Sequence, residues 1–287
     1  MITYRRFPTI AFAILTALSS TVVAQQASQM PGDNAALRYW SAFAQMQDST
    51  VTAEQAKGLQ AILDGVAPYS DVNYRELVER NRRAVETLQR GTTLPRCDWG
   101  LEYQLGAEAP VDYVRRALTL GRLNVLYAYH QLSSGNRSGG MGTLAGGIRF
   151  SHDVAGGGTL IAGVAAKTLM VAHLRAVDFA ARTQALASEE KTLLSAQLDQ
   201  IGPEGVDWHA TMQREFEVLE RSGARVPASL VELYGKTVQD AAQLPQLQQA
   251  IAGAPQAVAS VIPRPQRVLE QKRELNERLR EFRAMLR

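Results

Sequence analysis

Cysteine is nearly missing: only Cys97 occurs in 287 residues, so no intrachain disulfide can form. Packing alone has to hold the chain together, and the chain is long enough for one large domain or two small ones. An excess of either charge is missing too. The 31 Lys and Arg stand against 28 Asp and Glu, and setting aside Arg5 and Arg6 leaves 29 against 28. A phosphate-backbone partner needs a basic surplus, so no nucleic-acid partner is expected. No segment alternates apolar and polar residues over a strand's length, which argues against a β-sheet. His-Glu-x-x-His, Gly-x-Ser-x-Gly and a phosphate loop with its Lys and hydroxyl are all absent from the sequence. The familiar zinc, serine-hydrolase and nucleotide signatures therefore have no carrier, and no cofactor is expected.

What is present starts with an apolar N-terminus. Arg5 and Arg6 precede an uncharged run from Phe7 to Val23, and Val22-Val23-Ala24 offers small or modest side chains at a cleavage position. The run is shorter than the roughly 20 residues of a spanning helix. It predicts a signal peptide over 1–24 with cleavage after Ala24, no transmembrane span after its removal, and a periplasmic or secreted destination.

Beyond it the apolar period is helical nearly throughout. Ala36, Tyr39, Trp40 and Phe43 share one helix face. Thr52-x-x-Gln55 is a capping box opening a second helix. Tyr74, Leu77, Val78, Val85 and Leu88 mark a third, with Gly91 as its left-handed cap. A loop follows from Thr92 to Ala109, then a long helix from about Pro110 to Leu132. Ten of the 22 glycines lie between Gly135 and Gly163. Helices at 142–155 and 159–183 are expected to flank Gly156-Gly157-Gly158, with Gly146 and Gly163 as points of close approach. Ser188 opens a helix to Ile201. Pro203 starts the next, bearing Trp208, Met212, Phe216 and Leu219. An Ala- and Gln-rich helical stretch begins at Pro227. Val268, Leu275, Leu279, Phe282 and Leu286 form a final stripe, with Glu274 and Arg278 as a favourable i, i+4 pair. The expected organisation is a signal peptide (1–24), a helical domain (25–253), a Pro-containing linker or helix break (254–265) and a C-terminal amphipathic helix (266–287). The fold class is all-α, with antiparallel helical hairpins in a bundle or short solenoid of about eight to ten helices.

Few residues offer chemistry. His152 and His173 are the candidate metal ligands, without the paired spacing of a metal motif. Both point towards apolar stripes, and His152-Asp153 is a lone pair with no serine motif nearby. Cys97 has Asp98 beside it, which raises a thiol's pKa and argues for a buried small side chain in a loop anchored by Trp99. Gly139-Gly140-Met141-Gly142-Thr143-Leu144-Ala145 has the outline of a dinucleotide fingerprint, but a helix and not a strand precedes it. Thr159 to Leu174 is apolar, with Lys167 in its middle, and reads as a buried central helix with Lys167 snorkelling at its edge. Tyr39, Trp40 and Phe43 are the candidate residues of a binding groove, a spacing that also suits a core. From Arg264 onward eight basic residues face four acidic ones, interleaved as on a solvated helix face, yet able to meet an anionic surface or a partner.

Three segments carry a resemblance: Asn34-Ala-Ala-Leu-Arg-Tyr-Trp-Ser-Ala-Phe, the Pro95-Arg-Cys-Asp-Trp-Gly-Leu loop, and the helix pair from Tyr113 to Val177 with its Gly-Gly-Gly-Thr-Leu-Ile turn. Together, over roughly residues 34–180, they resemble a group of exported all-helical bacterial proteins with tetratricopeptide-like hairpins and no known activity. The resemblance implies export and helical hairpins, and it brings no catalytic residues.

Export, hairpins and the missing catalytic signatures lead to an expected function: a non-catalytic helical scaffold that binds a protein or another component of the cell envelope. Two alternatives stand beside it. One is an envelope hydrolase or metal-dependent enzyme using His152, His173 and nearby carboxylates. The other is a small-molecule carrier with an interhelical cavity.

Overall fold

The computed structural model describes residues 31–47, 50–108 and 111–287. The expected signal segment 1–24 and Pro110 lie outside the described residues. Within them the chain is all-α: the residues form twelve α-helices and three short 3₁₀ segments, with one isolated bridge between Asn34 and Arg96. The count exceeds the expected eight to ten because the stretch after Pro227 divides further than its period suggests.

The first three helices are α1 (Ala35–Gln45), α2 (Ala53–Leu63) and α3 (Asp71–Thr92). Thr52 and Gln55 make the expected reciprocal cap: Gln55 N–H donates to Thr52 Oγ1 at 3.1 Å, and Thr52 N–H donates to Gln55 Oε1 at 2.9 Å. Gly91 is not the left-handed cap expected of it. It lies inside α3, which runs on to Thr92, and a Cβ there would stand 2.6 Å from the Tyr39 ring. Its small size admits α1 against α3.

A loop containing a 3₁₀ segment at Tyr103–Glu108 leads to α4 (Asp112–Ser133), α5 (Arg137–Ala155) and α6 (Leu160–Thr183). These three form the centre, and α5 packs against α3, α4, α6 and the following helix α7 (Ser188–Ile201). Gly139 and Gly140 prove helical, not loop. Asn136 caps α5 by accepting from Gly139 N–H at 3.1 Å, which starts the helix five residues earlier than its apolar stripe suggests. Among the described residues α6 is one helix long and apolar enough to cross a membrane. Here it packs against α2, α4, α5 and two later helices.

The remaining helices are α8 (Trp208–Arg221), α9 (Ala228–Gln239), α10 (Leu244–Ala252), α11 (Gln256–Ala259) and α12 (Pro265–Leu286). Pro203 does not start α8. Gly202 and Gly205 take positive φ, which holds Pro203–Val206 in a turn. Asp207 then caps the helix by accepting from Ala210 N–H at 2.9 Å. α12 packs on the body: Val268, Leu275, Leu279 and Phe282 are buried, and Arg283 donates to the Pro203 carbonyl at 3.1 Å. The expected Glu274–Arg278 pair is not made. Glu274 pairs with Lys167, and Arg278 with Asp178, both on α6.

Candidate functional site

The Asn34 and Pro95 segments, 61 positions apart in sequence, meet in one place. The side-chain amide of Asn34 clamps the loop from both sides: Nδ2 donates to the Asp98 carbonyl at 2.8 Å, and Oδ1 accepts from Asp98 N–H at 2.9 Å. The same Oδ1 accepts from Ala36 N–H at 3.1 Å and caps α1. The Ala35 N–H donates to the Arg96 carbonyl at 2.7 Å. One residue thus starts a helix and fixes a loop.

That loop lies over the C-terminal end of α5. Trp99 stacks on Tyr113, ring centroids 4.3 Å apart, and on Tyr39 at 5.6 Å. Its indole N–H donates to the Asp153 carbonyl at 2.7 Å. Tyr39 and Phe43, expected at a groove or in the core, are buried in the core; Trp40 reaches the surface at 37% exposure. Tyr39 donates its hydroxyl to Asp153 Oδ2 at 2.6 Å, and Arg149 Nε donates to Asp153 Oδ1 at 3.0 Å. Burial raises the Asp153 carboxyl above the usual carboxylate range, against the opposing pull of the Tyr39 hydrogen bond and the Arg149 charge. Burial, then the neighbouring Asp153 charge, pushes the Tyr39 hydroxyl up. The same two causes push the Cys97 thiol up. Asp98 also raises it, as the sequence suggested, but only as a minor contributor.

The two candidate histidines serve different neighbours. His152 Nδ1 lies 2.8 Å from the Gly205 carbonyl; a carbonyl only accepts, so Nδ1 carries the hydrogen. His173 is fully buried. Its Nδ1 donates to the Leu169 carbonyl at 2.7 Å, and its Nε2 accepts from Asn124 Nδ2 at 3.1 Å. Burial holds its pKa down at about 4, so the ring is neutral at pH 7. Among the described residues no three His, Cys, Asp or Glu side chains gather as a metal set.

Ser151, His173 and Asn124 line up as nucleophile, base and orienting residue would. Ser151 Oγ stands 3.4 Å from His173 Nδ1. That nitrogen already bears its proton for Leu169, and Ser151 donates to the Gly147 carbonyl at 2.7 Å. The ring has no lone pair turned to the serine, and all three side chains are buried. The row is a structural tie. Asn124 extends it: its Nδ2 also donates to the Thr143 carbonyl at 3.0 Å, and its Oδ1 accepts from Gln89 Nε2 at 2.6 Å. Four helices, α3 to α6, are joined by one satisfied polar network.

Sequence reading noted Asp153 only as the neighbour of His152, and missed Arg149, Asn124 and Gln89. The available signals were an i, i+4 Arg–Asp pair in α5 and polar residues adjoining apolar stripes in α3 and α4. Neither signal says what lies across the helix.

Arg149 joins two open clefts. One, about 460 Å³, lies under the 95–103 loop and includes His152, Asp153, Tyr103 and Arg214. Arg214 lies over the Tyr103 ring, 4.7 Å from its centroid. The other, about 700 Å³, runs between α3, α5 and α7, and includes Gln89, Thr93, Gly142, Leu193 and Gln197. Both linings contain Pro95 and Arg149. Arg149 donates to the Pro95 carbonyl at 3.4 Å and to Gln200 Oε1 at 3.3 Å. These are long hydrogen bonds, easily exchanged for those of a ligand. His152 Nε2 has no partner among the described residues. The junction can offer hydrogen bonds, a guanidinium and an aromatic face to something lying along it.

Comparison of the chain with protein-family models, curated proteins and solved structures finds no match.

Proposed function

We propose that the protein is a non-catalytic binding scaffold of the cell envelope, exported after loss of residues 1–24. In this reading it holds an extended segment of a partner protein in the groove that crosses Arg149. The observation that carries the proposal is the meeting of two clefts at one arginine. Their walls include glutamine, threonine and arginine side chains, and the supporting helices are tied by the Asn124–His173 network. A rigid groove with exchangeable donors recognises an extended backbone at low ordering cost. The buried groups a hydrolase would need are engaged elsewhere: His173 by Leu169 and Asn124, and Ser151 by Gly147. The resemblance to exported helical proteins supports the envelope as the setting.

The test is a photo-crosslinking residue at Thr93, on the exposed rim, in the full-length chain expressed in a host with an envelope. The proposal expects one dominant adduct in the envelope fraction, lost when the crosslinker is moved to Glu232 on α9. Adducts of equal number and intensity from both positions, or none from Thr93, would remove it.

A further inference from the structure

A second groove lies away from Arg149, between α12, the α9–α10 junction and the Pro203 turn. Its volume is about 750 Å³, within the range of small-molecule sites. Along α12 its wall carries Leu269, Arg273, Asn276 and Arg280, spaced four, three and four residues apart. That spacing keeps them on one helix face over roughly 16 Å. Ala241 and Leu244 supply apolar surface from the opposite side.

The charges in the groove divide into engaged and free. Lys272 pairs with Glu204 at 2.9 Å and donates to the Val238 carbonyl at 3.0 Å. Arg283 donates to the carbonyls of Pro203, Leu198 and Gly202. Arg273 and Arg280 are exposed and have no partner among the described residues. Asn276 stands between them, with Oδ1 buried and unpartnered and its Nδ2 left to donate. Four cations line the groove against two carboxylates, Glu204 and Glu270. Glu204 is already neutralised by Lys272.

We propose that this groove binds a single-chain anionic amphiphile, a fatty carboxylate, with its head on Arg280, Asn276 and Arg273 and its chain towards Leu269. The order along α12 sets the direction, because Leu269 precedes the donors by one to three turns. Charge complementarity selects the acid: two unpaired guanidiniums next to apolar surface favour an anion joined to a hydrocarbon chain over either part alone. The basic character of the sequence after Arg264 thus has a specific use. The proposal is independent of the partner groove around Arg149, which is built on other helices.

The experiment is isothermal titration of the whole chain with dodecanoate below its micelle concentration, with dodecanol and acetate as controls. Saturable binding of one dodecanoate per chain is expected, with both controls at least about tenfold weaker. Arg273→Gln with Arg280→Gln should weaken dodecanoate at least about tenfold, while Arg267→Gln, an exposed arginine of α12 outside the groove lining, should leave it unchanged. Both substituted arginines are exposed, so the double variant is expected to fold, and its circular dichroism confirms that. Equal binding by the double variant, or equal binding of dodecanol, overturns the proposal. So does sedimentation with phosphatidylglycerol vesicles in the absence of any dodecanoate binding, which would make the basic face a membrane contact instead.

Discussion

Gly147 of α5 and His173 of α6 share one space: a Cβ on Gly147 would stand 2.1 Å from Cδ2 of the His173 ring. The ring cannot retreat, because Leu169 and Asn124 hold both of its nitrogens. Gly147→Ala is expected to lose about 1–3 kcal/mol through overpacking, although alanine favours a helix by roughly 1 kcal/mol. Gly142, in the same helix, has nothing within 4 Å of its Cβ position. Gly142→Ala is expected to gain up to about 1 kcal/mol. Urea denaturation reads both, and the prediction is a difference in sign. Loss in both variants would mean that close approach is not what glycine provides in α5.

The same histidine predicts a pH dependence. Its folded pKa, about 4, lies below the 6.5 of a free imidazole side chain. The unfolded chain therefore takes up a proton first as pH falls. The stability that the neutral ring contributes is complete above pH 6.5 and is lost as pH falls through about 4. One pKa unit is about 1.4 kcal/mol, so the full loss is on the order of 3 kcal/mol. Asp153 works the other way, since its raised folded pKa favours the fold as pH falls. The difference between wild type and His173→Gln, followed by denaturation from pH 7.5 to 4, isolates the histidine. Parallel profiles would show that it titrates equally in both states.

Tyr39 is the partner that makes a buried carboxylate tolerable. Tyr39→Phe should lose about 1–3 kcal/mol, because it strips a hydrogen bond from Asp153 while leaving the group buried. With Asp153→Asn already present, the cost of Tyr39→Phe should shrink. A double-mutant cycle measures this, and strictly additive losses would mean that the 2.6 Å contact carries no coupling.

Cys97 should be inert while the chain is folded. Burial pushes its thiol up, and the thiolate is the reactive form. Alkylation by iodoacetamide at pH 7.5 is expected to run about tenfold or more slower in buffer than in concentrated urea. Equal rates would place the thiol in solvent.

Much of this fold could be read directly. Thr52 and Gln55 announce a helix start because both halves of a capping box are local. The stripes of α4 and α6 give their length because a helix repeats its buried face every 3.6 residues. The candidate site was less legible. Tyr39, Cys97 and His152 stood out individually, yet Asp153, noticed only as the neighbour of His152, is what links Tyr39 and Cys97. Nothing within four residues of Asp153 reveals that Tyr39 and Trp99 will reach it. Gly91, Gly139 and Gly140 were misplaced for a related reason. Glycine marks a helix end when only its own turn is considered, and a helix–helix contact once the neighbour is known.

Local sequence dictates the helices, through a period and a set of caps that each act over a few residues. The tertiary structure decided which polar group answers which. Glu274 and Arg278 sit at the ideal spacing for a pair within α12, yet each turns to α6, to Lys167 and to Asp178. A pair within a helix surface stabilises by only about 0.2–0.5 kcal/mol. Lys167, Arg278 and Asp178 are largely withdrawn from solvent once α12 docks, and screening is weaker there. Partners of that kind exist only after two helices have met, and so no local pattern can name them.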